Sequence, residues 1–451
     1  MSQGKIKVAS GRKTDADSYE AGAVPIERSV WSLDHTPPAH PQLAADLEAD
    51  IVVVGAGVVG ASLSLHLAER GLNTVLIDAA QPADAASGRN AGHVQPYLLS
   101  LDPLDALPGK GRPFMDCLIE NRNIVFDLCA RHAIDADQVQ SGLLELARKK
   151  SAELESKAQR WTKLGLDVEI LGSDRLRPLV GTDRYSFGTL WRDGGCVNPF
   201  LLTNGMVNAA IALGARVYGD SPALACERHK GRWKLRTEFG SVLADRVVLC
   251  TNGHVGEGFY SELERTQFPL LACGLATRPL PQSLLDVINP TRAALSQHPA
   301  GLYPMVVDRK GRLITATIPA VGRAHRSDIH FNYFLRHLRR VYPEARDMGI
   351  ELETYWTGMT HNSSPAYEKA YPKFYRMDEG VFALMNFGSW GNQLGPMMGM
   401  NVAQALAADQ PDSTVLGCER PVEVRFPGLF STKLRRFLIP AARLADQFNL
   451  V

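Results

Sequence analysis

The chain has 451 residues, 45% of them hydrophobic and 22% charged, long enough to bury a large core as two or three compact units. With 49 basic and 48 acidic residues, a formal net charge of +1 and no long basic run, it is not built mainly to bind nucleic acid or an anionic membrane. Its seven cysteines are odd in number, scattered and without a C-x-x-C pair, which points to reduced thiols and no metal site. No apolar stretch approaches the ~20 residues that cross a bilayer, so a cytoplasmic protein without a transmembrane segment is expected.

Residues 1–28 are polar and glycine-containing, an expected disordered segment. The stretch 49–78, ADIVVVGAGVVGASLSLHLAERGLNTVLID, then reads as a strand, a glycine-rich turn, an amphipathic helix and a second strand ending in an acid. Residues 51–54 are apolar and mostly β-branched, as a buried parallel strand requires. Gly55, Gly57 and Gly60 follow in the G-x-G-x-x-G spacing. The first permits the tight turn, the second has no Cβ to hold a pyrophosphate off the backbone, and the third lets the helix lie close to the strand. Phosphates placed there meet the unpaired N–H groups and positive dipole end of the helix. Asp78 stands where a ribose hydroxyl is held, and its charge would repel a 2′-phosphate. All four parts in order make this a dinucleotide site rather than a plain α/β crossover.

Beyond it, Ala86-Ser87-Gly88-Arg89-Asn90-Ala91-Gly92-His93-Val94 is a polar, glycine-rich stretch for which a nicotinamide site has no need. Residues 102–113 read as a proline- and glycine-containing loop, and 119–132 and 151–165 as helices. Gly194-Gly195-Cys196-Val197-Asn198-Pro199 introduces a helix ending near Gly214, and residues 244–253 run as a strand into the turn Thr251-Asn252-Gly253. Residues 270–279, 302–307 and 313–318 are strand-like, with Asp308-Arg309-Lys310-Gly311 as a turn, and predict an antiparallel sheet. A last strand and helix fall within 380–405, and 431–450 reads as an amphipathic helix.

Along most of the chain these landmarks resemble, in order, the D-amino-acid oxidase superfamily of FAD-dependent amine oxidoreductases, and within it the gamma-glutamylputrescine oxidase-like branch. That branch's A-S-G-R-N-G-G motif is met by residues 86–92, with Ala91 replacing the first glycine of the pair. Its aromatic lead-in is met by Trp31, its G-G-x-x-(N/D)-P by residues 194–199, and its A-D-x-V-V-x-A-T-N-G by residues 244–253. The resemblance implies FAD as the cofactor, held by Gly55, Gly57, Gly60 and Asp78, by Ser87, Gly88, Arg89, Asn90, Ala91, Gly92 and His93, by Thr251, Asn252 and Gly253, and by Gly388, Ser389, Gly391 and Asn392. It also implies an α/β fold in which an FAD-binding Rossmann-like domain of the glutathione-reductase type is interleaved with an α+β substrate domain on an antiparallel sheet. Residues 29–100, 175–260 and 357–412 would form the first domain, 101–174 and 261–356 the second, and 413–451 a tail and helix. One departure stands out: where the family reads aromatic-S-G-H-G, this chain has Phe387-Gly388-Ser389-Trp390-Gly391, so that Trp390 replaces the histidine.

The implied activity is oxidation of the C–N bond of a small amine or N-substituted amino acid. Hydride passes to flavin N5, water hydrolyses the imine to a carbonyl compound, and oxygen is reduced to hydrogen peroxide. The nitrogen lone pair must help expel the hydride, so the protein's part is orientation, exclusion of water and binding of the neutral amine. Candidates beside the reacting carbon are Tyr303 on a sheet strand, His361 after the W-x-G-like Trp356-Thr357-Gly358, and His93 after Gly92. Each has a plainer reading as a packed tyrosine, a solvated loop histidine or a structural histidine. Trp356 and Trp390 are expected to face substrate, and Arg278, at a strand end, to pair with a carboxylate; Arg309 and Arg312 are weaker candidates for the same role. Two rival readings are a dehydrogenase of the same fold passing electrons to a quinone or protein acceptor, and a flavin-binding subunit of a heteromeric amine dehydrogenase. Full length and two sheet-bearing insertions favour a self-sufficient catalyst.

Overall fold

The computed structural model describes residues 28–105, 109, 111–254, 259–298, 301–363, 371–424, 429 and 432–448, so the expected disordered segment lies outside the described residues except for Arg28. A first sheet of eight strands grows from the apolar run around residue 50. Asp46–Val54 is flanked in parallel by Thr74–Ile77 and by Ser241–Leu249. The parallel order continues to Arg216–Tyr218 on one side and Val381–Met385 on the other. Because both faces are covered, these strands need no polar alternation, and Ile51, Val52 and Val53 are wholly enclosed. Lys373–Asp378 closes one edge antiparallel, and a ribbon of Ala225–His229 and Arg232–Arg236 joins Ser241–Leu249.

Helix Val58–Ala68 follows the glycine-rich turn and is buried at every residue, where an amphipathic helix with one solvated face was expected. The reason is that Pro199–Ala212 and Gly391–Ala407 cover its outer side. The packing is close: a Cβ on Gly399 would stand 2.6 Å from Ser62 Oγ, and that hydroxyl donates to the Pro396 carbonyl at 3.1 Å.

The second sheet also has eight strands, in the order Leu352–Asn362, Phe268–Thr277, Leu313–Thr317, Met305–Val307, Ala294–Gln297, Leu143–Ala147, Phe187–Trp191 and Val168–Gly172. Neighbours pair antiparallel except Ala294–Gln297 with Leu143–Ala147, which run parallel. Phe187–Trp191 comes from the segment 175–260, and Leu352–Asn362 crosses residue 357, so this sheet draws on both sides of those two boundaries. Period-two alternation sends Leu144 and Leu146 into a core with Tyr303, Phe334 and Leu338, while Leu143 and Glu145 face a cavity between the sheets.

Several local details differ from the sequence reading. The loop expected over 102–113 contains helix Asp102–Asp105 and the start of Gly111–Glu120. Pro113 fits there because it lies in the first turn, where its missing N–H costs no helical bond. The helix expected over 119–132 is divided between Gly111–Glu120 and Ile124–Arg131, and the strand expected over 302–307 shortens to Met305–Val307. Helix Ala152–Leu164 is bounded as its caps predict: Ser151 Oγ accepts from Leu154 N at 3.2 Å, and Gly165 ends it at φ +110°. The C-terminal helical segment contains a π turn, Leu434–Leu438, and continues as Ile439–Gln447.

Candidate active site

A cavity of about 1770 Å³ extends from the glycine-rich turn to the inner face of the second sheet. At its first end Gly55 adopts φ +105°, and a Cβ there would sit 2.8 Å from the Cys250 carbonyl. Gly60 packs behind the turn, where a Cβ would overlap the Gly55 carbonyl. Gly57 is different: its Cβ would crowd only the Ser87 hydroxyl, at 2.8 Å. That hydroxyl accepts from Val58 N at 2.9 Å, at the N-terminus of the buried helix. Asp78, at the end of the second strand, accepts from Ala56 N at 2.6 Å and from Ala80 N at 2.8 Å. Burial pushes its carboxyl upward and the two N–H bonds pull it back, with burial the larger effect. A bare backbone gap at a helix N-terminus, bordered by an acid, fits the pyrophosphate and ribose of a dinucleotide.

The adjoining loop is fastened at three successive carbonyls. Ser29 Oγ donates to Gly88, Trp356 Nε1 to Arg89 and Trp31 Nε1 to Asn90, each at 2.8 Å. Gly92 has φ +77° and lies under Trp31, whose ring a Cβ would meet at 3.0 Å. Asn198 caps helix Pro199–Ala212 by accepting from Phe200 N and Leu201 N at 3.0 and 3.1 Å, and it donates to the Trp31 carbonyl at 3.0 Å. Asn90 and Asn392 exchange reciprocal amide bonds of 3.0 and 2.9 Å, and Asn392 also donates to the His93 carbonyl at 3.0 Å. Segments far apart in sequence thus hold one rigid surface.

Further along, Thr251, Asn252 and Gly253 line the cavity beside His361. The imidazole of His361 rests directly on Gly253, where any Cβ would overlap it. Burial, assisted by the nearby His254, holds the His361 pKa down to about 3, so the ring is neutral. His93 is also held neutral by burial. Its Nε2 lies 3.0 Å from the Leu295 carbonyl and its Nδ1 3.2 Å from that of Ala91, and a neutral ring with one N–H can serve one of them at a time. Gly388, Ser389, Trp390, Gly391 and Asn392 complete this end.

Of the residues singled out by sequence, Gly55, Gly57, Asp78, Ser87, Arg89, Asn90, Ala91, His93, Thr251, Asn252, Gly253, His361, Gly388, Ser389, Trp390, Gly391 and Asn392 line the cavity together. Gly60, Gly88 and Gly92 support it from behind, and Trp356 acts on it through the Arg89 carbonyl. Tyr303 and Arg278 lie elsewhere. Tyr303 points into the opposite core, its ring 4.9 Å from that of His337 and 5.9 Å from that of Phe334, while its neighbours Leu302 and Pro304 face the cavity. Arg278 is on the surface, 68% exposed and 3.2 Å from Glu351. Arg309 pairs with Asp135 and Asp137, and Arg312 with Asp34, Asp308 and Glu353.

Part of the cavity wall at the second sheet was not legible in the sequence. There Tyr97, Glu145 and Lys157 line the cavity, backed by Trp191. No local motif marks them, because they come from a loop, two strands and a helix. Among the described residues there is no cluster of metal ligands and no helix long and apolar enough to cross a membrane.

Residues 50–405 match the family model described as FAD dependent oxidoreductase, DAO. The chain belongs to this FAD-dependent oxidoreductase family. Among curated relatives, it is 26% identical over 374 residues to gamma-glutamylputrescine oxidoreductase of Escherichia coli K12, covering 81% of this chain and 85% of that protein. Among solved structures, L-amino acid deaminase from Proteus vulgaris superposes with a TM-score of 0.64 at 20% identity, covering 87% of this chain and 94% of the other. Glycine oxidase from Bacillus cereus gives 0.62 at 18%, covering 80% and 96%. The family is FAD-dependent.

Proposed function

We propose that the protein oxidises the C–N bond of a small amine and uses oxygen as the acceptor, giving a carbonyl compound and hydrogen peroxide. FAD, when bound, supplies a hydride acceptor at N5 for the carbon next to nitrogen. The observation that carries the reading is the continuity of the cavity from the dinucleotide cradle to a wall of the second sheet, past two histidines kept neutral by burial. Neutral imidazoles leave the amine nitrogen free of competing positive charge, and they can hold its N–H or lone pair without protonating it. His361 and His93 are the residues we assign to orienting the amine. Trp390, only 3% exposed, closes the site beside them and excludes water. Asn90, Asn392 and the loop 86–94 hold the cofactor face.

The related gamma-glutamylputrescine oxidoreductase supports an amine as substrate. Seven free thiols support a reducing compartment, and we place the enzyme in the cytoplasm. The working domain division is 29–100, 175–260 and 357–412 for FAD, with 101–174 and 261–356 around the substrate. Turnover in air with a panel of primary amines, secondary amines and amino acids tests the proposal. One carbonyl product per peroxide is expected for one amine class. Product formed only when a quinone replaces oxygen would make the enzyme a dehydrogenase, and no product with any amine under either condition would refute the reading.

A further inference from the structure

The part of the cavity wall built on the second sheet has chemistry that the proposed reaction does not use. On one face of the paired strands Leu143–Ala147 and Phe187–Trp191, the Trp191 indole N–H lies 2.9 Å from Glu145 Oε2 and 3.1 Å from Thr189 Oγ1. Tyr97 stacks on Trp191 with ring centroids 3.8 Å apart. From helix Ala152–Leu164, Lys157 places its Nζ 2.5 Å from Glu145 Oε1, 4.9 Å from the Tyr97 ring centroid and 5.7 Å from that of Trp191. A carboxylate and two aromatic faces around one ammonium form a cation site, filled in this chain by its own lysine.

Three features make that occupant exchangeable. Glu145 keeps the Trp191 indole donor when Lys157 leaves, so its carboxylate is not orphaned. Glu153, one helical turn before Lys157, is 82% exposed with His298 Nε2 3.6 Å away, and its i,i+4 spacing lets it also receive the displaced ammonium. The site also opens on the proposed reaction space: His93 Nε2 lies 3.0 Å from the Leu295 carbonyl, and the next residue, Ser296, pairs with Glu145 on the adjacent parallel strand. One strand spacing, about 5 Å, therefore separates the two backbones. The charges argue for a cation as well. Arg278, Arg309 and Arg312 are paired outside the cavity, and among the described residues that line it the basic side chains are Arg89, on the loop beside the glycine-rich turn, and Lys157, which lies against Glu145.

We propose that Glu145, Tyr97 and Trp191 form a subsite for the second cationic nitrogen of a di- or polyamine substrate, with Lys157 as the internal occupant that this nitrogen displaces. The inference rests on the proposed function only for which nitrogen is oxidised; binding of the dication does not depend on turnover. The test is equilibrium binding of 1,4-diaminobutane, butylamine and 4-aminobutyrate to the FAD-loaded enzyme under argon, read by tryptophan fluorescence.

The diamine should bind at least about tenfold tighter than either comparison, the scale of one charge-assisted contact. Glu145→Gln should bring that ratio near one, and Lys157→Met, by removing the occupant, should raise it. These opposite signs cannot both come from a general loss of fold, which thermal melting and FAD content check independently. Equal affinities in the parent enzyme would overturn the subsite. Tighter binding of 4-aminobutyrate that is lost in Lys157→Met would also overturn it, making Lys157 an anion anchor. A diamine that binds as expected but never bleaches the flavin would sink the proposed chemistry and leave the subsite standing. Bleaching by monoamines without diamine preference would do the reverse.

Discussion

Acidification should destabilise this protein through His361 before its carboxylates titrate. The ring is 8% exposed and seated on Gly253, and burial lowers its pKa from 6.5 to about 3. An unfolded chain takes up this proton near 6.5, whereas the folded site does not until about 3. Between those values the unfolded state binds more protons, so the contribution is complete above 6.5 and is lost as pH falls. The full gap corresponds to about 5 kcal/mol, of which about 2 kcal/mol has gone by about pH 5. In His361→Asn the titrating group is absent. Baseline stability should fall because the ring leaves a void, but the loss between about pH 7 and 5 should shrink by about 2 kcal/mol. Unfolding of the FAD-loaded protein across that range measures the slope, and a histidine Cε1 carbon NMR titration reports the His361 pKa itself. A resonance titrating near 6.5, or equal pH slopes in parent and variant, would refute the burial argument.

The glycines of the turn should separate by mutation. Gly60→Ala drives a Cβ into the Gly55 backbone and should cost about 3 kcal/mol or prevent folding, as judged by soluble yield and melting. Gly57→Ala meets only the movable Ser87 side chain, so it should fold but bind FAD at least about tenfold more weakly by equilibrium dialysis. Asn392→Ala removes the bonds to Asn90 and the His93 carbonyl, with an expected loss of about 2–3 kcal/mol in unfolding measurements and faster FAD release. Arg278→Ala breaks an exposed pair and should change stability by less than about 1 kcal/mol, with no change in flavin reduction; a large loss of reduction would return Arg278 to the substrate site.

The βαβ unit was legible because its information is local: three glycines, an apolar strand and Asp78 lie within one short stretch, and each answers one steric or electrostatic requirement. Loop 86–94 was legible as a motif, but not the way it is held. Ser29, Trp31 and Trp356 reach it from distant segments, and only the folded chain reveals that they bind consecutive carbonyls. The same distance hid the parallel pairing of Ala294–Gln297 with Leu143–Ala147, which places Glu145 beside Ser296. Residue type misdirected the reading at Tyr303 and Arg278. Tyr303 falls in the bend just before Met305–Val307 and not on the strand itself, and there its ring turns into the core. An arginine suited to a carboxylate found one in Glu351 at the surface. Helix Val58–Ala68 is apolar around its whole circumference, the mark of a helix covered on every side, so its burial was legible in its residues although it was read as amphipathic.

The most direct test of the account is an anaerobic titration of the purified yellow protein with amines, following the flavin absorbance after acid precipitation has identified the cofactor released. FAD is expected in the supernatant, with full bleaching of the bound flavin by one amine class and two electrons transferred per amine consumed. A colourless protein that takes up no added FAD, or a yellow one that no amine bleaches, would contradict it.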